Sequence, residues 1–342
     1  SFVFDELHAY ENRMFAAVVA LIRALPGASF LLMTASLPKA RKDFLLKEVG
    51  RVQEVPAPKD LEELPRYTFE QLPQPDEADQ IVRQATAQKQ KVLWVCNTVS
   101  RAQRTFERLR DMGLPVGTYH SRFKYEDRRR RHSEVVTAFS IDEHAEGLIA
   151  VTTQVAEMSL DLDADILISD IAPIASLIQR LGRLNRRIAP DKPGSPRTGY
   201  FIDIQPSAAA PYSMGDLELA KRWIEELKNL SRPLSQADLA ESFNSMSSSE
   251  ELHLDLRTEW LDSGWFAIPG LVREGGISVS VILPEDETVC RRDRKEIIWK
   301  AIPMNFDSRR GMDNWRELKG SLIAPPNTIL YSKEIGARWL KQ

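Results

Sequence analysis

From Ala78 to about Pro206, apolar runs of strand length alternate with stretches of helical length, and this alternation limits the possible folds more than any other feature of the chain. Strands are expected at Lys91 to Cys96, Gly117 to Tyr119, Leu148 to Thr152, Ile166 to Ser169 and Tyr200 to Ile204, with a helix from Ser100 to Met112. Strands separated by helices pair in parallel through right-handed crossovers, so the class is α/β with a parallel sheet. Open sheets of this kind bind ligands at the carboxyl ends of their strands. Polar residues that follow a strand are therefore the first candidates for a site.

Two more strands are expected near the start, Phe2-Val3-Phe4 and Phe30-Leu31-Leu32-Met33, separated by a helix from Asn12 to Leu25 and followed by another from Lys39 to Val49. Pro56, Pro58, Pro65, Pro73 and Pro75 disfavour regular structure and read as a linker. Beyond Pro206, Leu217, Ala220, Ile224 and Leu227 mark one helical face, and Ser245 to Ser249 form a polar break. From Leu252 onward, Trp260, Trp265, a strand at Ser278 to Leu283, Trp299, Trp315 and Trp339 suggest a small α+β domain in which tryptophans anchor a core rather than stack bases. The expected division is 1–55, a linker over 56–77, 78–206 and 207–342, in keeping with 342 residues at about 150 per domain.

Composition excludes some classes. A net charge of −3 argues against a protein that coats nucleic acid indiscriminately, while a local basic groove stays compatible with it. Two cysteines, Cys96 and Cys290, give no disulfide framework or zinc knuckle. Arg23 interrupts the longest apolar stretch, Phe15 to Leu25, which reads as an amphipathic helix rather than a membrane span. No signal-peptide pattern precedes it.

Four strand ends carry chemistry. Asp5-Glu6-Leu7-His8 follows the first strand, and adjacent carboxylates there suit a nucleotide-bound Mg²⁺ and an attacking water; the alternative is an acid pair at a helix start. Thr34-Ala35-Ser36 follows the second. Asn97-Thr98 and Ser121-Arg122 end two others and serve either as backbone-phosphate contacts or as turn caps. Arg180, Arg183 and Arg186, at i, i+3 and i+6 of an expected helix, lie near one face and can converge on a phosphate. Alone they would read as a solvated basic face; Thr152-Thr153-Gln154 and Asp161 upstream favour the phosphate. Arg128 to Arg131 is either a DNA-tracking edge or a solvated helix face.

Asp5-Glu6-Leu7-His8-Ala9-Tyr10, Leu32-Met33-Thr34-Ala35-Ser36-Leu37-Pro38, His120-Ser121-Arg122-Phe123, the Thr153-to-Asp161 loop and Gln179-Arg180-Leu181-Gly182-Arg183-Leu184-Asn185-Arg186 together resemble superfamily 2 DExH helicases. Within these they are most similar to the CRISPR-associated helicase-nucleases of type I systems. The likeness covers residues 1 to about 205. It implies RecA-like parallel-sheet motor lobes, the first one partial, with the small α+β domain as a C-terminal accessory. It implies ATP and Mg²⁺ as cofactors, single-stranded DNA and a guide-RNA surveillance complex as partners, and a bacterial or archaeal cytoplasm. The implied activity is an ATP-dependent single-stranded DNA translocase, or helicase, recruited to R-loops to unwind and degrade target DNA. By the same resemblance Asp5 orders the metal, Glu6 is the catalytic base and His8 couples the nucleotide site to the opposite lobe. Gln179 senses the γ-phosphate, Arg183 and Arg186 are arginine fingers, and Asp161 and Arg180 serve the nucleotide. Thr34 and Ser36 couple hydrolysis to movement, and Asn97, Thr98, Ser121, Arg122, Thr152 and Thr153 contact the nucleic-acid backbone.

Departures from the pattern matter too. The usual Ser-Ala-Thr appears as Thr34-Ala35-Ser36, which keeps both hydroxyls but moves a methyl group. None of the 16 glycines precedes a lysine, so no phosphate-cradling Walker A loop is encoded, and no histidine precedes an aspartate as in the family's nuclease. The expectation is a fragment of a longer motor, inactive in ATP hydrolysis by itself. A DExH helicase of DNA repair or RNA metabolism, and a non-hydrolysing nucleic-acid-binding module, share the same motifs.

Overall fold

The computed structural model describes the chain except residues 8–9, 35–36, 51, 74, 140–146, 159, 207–208, 247–252, 257–277 and 341–342. It divides into two compact units, one of Ser1–Arg66, Ala189–Pro193 and Lys221–Gly275, the other of Tyr67–Ile188, Gly194–Ala220 and Gly276–Gln342.

The first unit opens with β1 (Phe2–Phe4), α1 (Asn12–Ala24), β2 (Phe30–Leu32) and α2 (Lys39–Val49), then a short α3 (Lys59–Glu62). Phe15, Val18, Val19 and Ile22 recur at the spacing of one helical face, so α1 buries that face against Phe44 and Leu45 of α2 and against Leu7. Leu254 and Leu256 complete this core. β1 and β2 pair in parallel, Phe2 opposite Phe30 with rings stacked at 5.1 Å. Strand alternation turns Val3 and Leu31 outward, and they are 61% and 53% exposed.

The second unit is built on a six-stranded parallel sheet: β3 (Tyr67–Leu72), β4 (Val92–Val95), β5 (Val116–Tyr119), β6 (Ile149–Thr152), β7 (Ile166–Asp170) and β8 (Arg197–Ile202), in the order β3-β8-β7-β4-β6-β5. Every pairing is parallel, as the strand–helix alternation requires. Strand β4 is buried at all four positions, the mark of a central strand covered on both faces. The helices between strands are α4 (Pro75–Ala87), α5 (Val99–Asp111), α6 (Tyr125–Ala138), the single turn α7 (Val155–Met158) and α8 (Ile174–Leu181).

Two sequence expectations change here. The stretch read as a linker holds an edge strand, β3, whose Tyr67, Phe69 and Leu72 are buried and whose Phe69 ring meets Phe201 edge-on at 5.0 Å. Its prolines bracket the elements instead of breaking them: Pro65 precedes the strand and Pro75 opens α4, where the missing N–H costs nothing. The three arginines also do not share one helix. Helix α8 ends at Leu181, so only Arg180 is helical, and Arg183 and Arg186 follow the Gly182 cap.

Helix α9 (Met214–Asn229) buries Leu217, Ala220, Ile224 and Leu227 as their spacing predicts, and α10 (Gln236–Met246) belongs to the first unit. The C-terminal stretch is α+β: β9 (Ser278–Ile282), helices Glu287–Arg292 and Arg294–Lys300, β10 (Ile302–Asn305), β11 (Glu317–Leu318) and β12 (Ser321–Ile323) form a sheet ordered β10-β9-β12-β11, and β13 (Ile329–Ser332) and β14 (Gly336–Trp339) form a hairpin. It shares a unit with the parallel sheet. The Gln103 amide donates to the Ile335 and Ala337 carbonyls at 3.0 Å each, and Arg338 pairs with Glu107 at 2.8 Å. Trp315 and Trp339 pack on its core with rings at 5.9 Å, while Trp299 is 36% exposed and Trp260 and Trp265 lie outside the described residues. Both cysteines are free and buried, and no described helix is long and apolar enough to cross a membrane.

Candidate functional site

In the first unit the segments that follow β1 and β2 lie side by side, because the Leu7 amide donates to the Met33 carbonyl at 3.0 Å. This brings Asp5 and Glu6 beside Thr34. Asp5 is exposed and its Oδ1 accepts the Glu6 N–H at 2.9 Å. Glu6 takes a left-handed backbone, φ 55°, a conformation costly for a residue with a β-carbon and typical of segments held for a purpose. His8 and Ser36 lie outside the described residues.

In the second unit the neighbouring strands β4, β6 and β5 deliver Asn97-Thr98, Thr152-Thr153 and His120-Ser121-Arg122 to one sheet edge. Thr98 caps α5, its hydroxyl accepting the Arg101 N–H at 3.3 Å, and Asn97 is buried. Thr152 is fully buried, its hydroxyl without a hydrogen-bond partner among the described residues, and Thr153 is 2% exposed.

Behind this edge lies a polar network that the sequence does not announce. Asp170, at the end of β7 and fully buried, takes a two-pronged bond from Arg101 at 2.7 and 2.8 Å and a third from the Asn97 N–H at 2.9 Å. Arg180 is fully buried as well. Its Nε donates to Glu157 at 2.8 Å, its Nη1 to the Ser169 hydroxyl at 2.9 Å and the Asp170 carbonyl at 3.0 Å, and its Nη2 to the Asn97 side chain at 3.1 Å. Burial alone would lower its pKa; Glu157, Tyr212 and Asp170 outweigh that and raise it. Gln154 ties the loop to the same cluster by donating to the Asn97 carbonyl at 2.7 Å and the Tyr212 hydroxyl at 3.2 Å. The sequence clue is the Ser169-Asp170 pair that ends a strand begun by Ile166-Leu167-Ile168.

The other arginines divide by exposure. Arg183 is 7% exposed and donates to the carbonyls of Ala156 and Glu157 at 3.0 and 2.7 Å, clamping α7. Arg186 is exposed, and it and Arg187 share Asp161 at 3.1 and 3.2 Å. Gln179 is half-buried, with its amide nitrogen buried and lacking a partner among the described residues.

Arg122 is the most telling side chain at the edge. It is half-buried, and among the described residues its guanidinium has no acid, carbonyl or ring to pair with. Burial, and then the nearby Arg310, lower its pKa. The loop that carries it is held from below by His120, which is fully buried, with Nδ1 accepting the Arg122 N–H at 3.2 Å and Nε2 donating to the Ile335 carbonyl at 2.9 Å. Burial pushes the His120 pKa down to about 3, so the ring is neutral. The hairpin approaches this loop through Gly336, φ 78°, where a β-carbon would stand 2.5 Å from the Arg122 carbonyl oxygen.

Residues 88–189 match the family model for the CRISPR-associated nuclease/helicase Cas3, C-terminal. The inferred CRISPR-associated nuclease/helicase Cas3 of Myxococcus xanthus (strain DK1622) is 41% identical over 99% of this chain and 45% of its own length. The crystal structure of T. fusca Cas3 with ADP superposes with a TM-score of 0.76 at 19% identity, covering 98% of this chain and 54% of that one. A chain of a CRISPR RNA-guided surveillance complex in a pre-nicking state gives 0.69 at 17% identity, covering 98% of this chain and 56% of that one. The chain thus spans about half the length of these relatives. With the strand-end motifs, the parallel sheet and these matches in agreement, the chain belongs to the Cas3 family of CRISPR-associated helicases.

Proposed function

We propose that the chain is part of an ATP-dependent single-stranded DNA translocase of type I CRISPR interference, and that its second unit holds the strand along the carboxyl edge of β4, β6 and β5. The observation that carries this is Arg122: a half-buried guanidinium without a counter-charge among the described residues, beside a second arginine, calls for an anion. Loop hydroxyls and amides next to it suit phosphates held without sequence readout. The M. xanthus relative's name and the surveillance-complex structure support a guide-RNA complex as partner, and action at an R-loop is the reading that the motif resemblance adds.

The residues also suit a nucleotide. A buried amide donor with no acceptor costs about 1–3 kcal/mol, and a phosphate oxygen would satisfy Gln179. No group of three or more metal-ligating side chains occurs among the described residues, but Mg²⁺ held by one carboxylate and phosphates needs none, and Asp5 is exposed. Bound ATP would supply phosphoryl transfer; Glu6 would polarise the attacking water, and Arg186 and Arg183 would stabilise the charge that develops, Arg186 being the one exposed. Arg180 serves the nucleotide indirectly, by positioning Asn97 and α7.

The test is binding of labelled single-stranded DNA by the 342-residue chain in a salt titration, with phosphate release measured alongside. Salt-sensitive binding that weakens about fivefold or more in Arg122→Ala is expected, for the loss of one charge-assisted bond. Without a Gly-Lys cradle, no DNA-stimulated phosphate release is expected. Absence of binding at low salt overturns the DNA reading, and turnover abolished by Glu6→Gln overturns the expectation of inactivity.

A further inference from the structure

Next to the Arg122 loop, a cavity of about 420 Å³ opens between the start of α6, strand β9 and the helix Arg294–Lys300. Its walls are Phe123, Ile297, Ile298 and Pro303, its rim holds Tyr125 and Ser278, and one charge lines it, Arg128. That charge is unusual within its own run. Arg130 pairs with Asp127 at 3.1 Å, Arg131 with Glu134 at 3.0 Å, and Arg129 lies over the Trp299 ring at 5.8 Å. Arg128 is half-buried, and among the described residues its guanidinium has no partner of any kind. The nearby acids are engaged, Glu126 by Lys300 at 2.9 Å and Asp127 by Arg130 and the Tyr331 hydroxyl. The cavity therefore combines apolar walls, an exposed aromatic rim and one uncompensated positive charge.

A solvated helix face does not leave a half-buried arginine unpaired against an apolar hollow. A ligand with a flat apolar body and an anionic group satisfies every wall, and a nucleotide is such a ligand. Phe123 also stacks on His120 at 4.5 Å, so the hollow continues directly from the loop that presents Ser121 and Arg122. We propose that this cavity is a subsite for one nucleotide of a bound single strand, with the base against Tyr125 and the apolar wall and the phosphate on Arg128. This rests on the single-strand reading above and adds a defined pocket to it. It also decides the role of the arginine run: Arg128 contacts DNA, and Arg130 and Arg131 brace α6.

The test uses the 342-residue chain and a labelled oligo(dT) carrying one internal 2-aminopurine, with affinity read by anisotropy across a salt series and stacking by quenching. Arg128→Ala is expected to weaken binding about tenfold and to lower the slope of log affinity against log salt by about 0.7, the share of one phosphate in a single strand. Arg128→Lys should restore most of the slope. Ala301→Phe, which fills the cavity without changing charge, should weaken binding by a similar factor, keep the slope and relieve the quenching. Where a variant melts below the unaltered chain, Ser278→Glu at the exposed rim takes its place and should weaken binding through repulsion. If these variants bind like the unaltered chain while Arg122→Ala still weakens binding, the subsite is wrong and the single-strand reading stands. No binding by the unaltered chain overturns both. Displacement by free dTMP as readily as by the oligonucleotide would mean that the pocket takes free nucleotides, and would overturn the assignment to a strand.

Discussion

Arg180 and Arg186 show how two arginines six positions apart take opposite duties. Removing the buried one leaves the buried Asn97 carboxamide and the mostly buried Glu157 without their shared partner, and breaking a buried ion pair costs up to about 3–5 kcal/mol. Arg180→Ala should therefore lower the melting temperature sharply and weaken DNA binding with it. Arg186→Ala, at an exposed pair with Asp161, should leave the melting temperature nearly unchanged. Equal melting shifts in the two variants would contradict this division. His120 makes the same region sensitive to acid. Its folded pKa of about 3 lies below the ordinary value of 6.5, so below pH 6.5 the unfolded chain takes up a proton that the folded chain refuses. Stability contributed by the neutral ring is whole above pH 6.5 and falls as pH drops toward 3, by about 2 kcal/mol between pH 7 and 5. Denaturant titrations of the unaltered chain and His120→Gln at both pH values should show that the variant loses this slope.

At the scale of elements, the C-terminal hairpin is held to the Arg122 loop by a contact that only glycine allows. Gly336→Ala adds a left-handed strain and a clash with a backbone oxygen, so hydrogen exchange in β13 and β14 should rise well above that of the unaltered chain, with β4 and β7 unaffected. A second contrast belongs to the two sheets. The paired strands β1 and β2 keep one face open, with Val3 and Leu31 exposed, whereas β4 is covered on both faces; amides of β1 and β2 should exchange orders of magnitude faster. The strands of the large sheet were legible because buried parallel strands are short continuous apolar runs between helices. Strand β3 was hidden because five nearby prolines dominate its neighbourhood, and proline flanks a strand as readily as it breaks one. The arginine spacing misled for a related reason. An i, i+3, i+6 pattern says nothing about where a helix stops, and Gly182 stops this one after the first member. Strand-end motifs were readable, since a parallel sheet sends them all to one edge. Arg101, Tyr212 and Gly336 were not, because each acts through partners far away in sequence.

On the scale of the whole molecule, the two units do not correspond to two continuous stretches. The chain passes from one to the other at 66/67, 188/189, 193/194, 220/221 and 275/276. A domain division read along the sequence therefore separates what the fold joins: the C-terminal strands belong with the parallel sheet, and α10 belongs with β1 and β2. Limited proteolysis should reflect this. A single cut near residue 66 should leave both products together on a sizing column under native conditions, and separate them in denaturant. The same threading bears on how such a gene tolerates damage. A stop codon anywhere between positions 206 and 275 removes the hairpin that braces the Arg122 loop, and one before position 254 also takes Leu254 and Leu256 from the core around Phe15 and Phe44. Nonsense alleles across this span should therefore behave as complete losses, with no surviving half-protein.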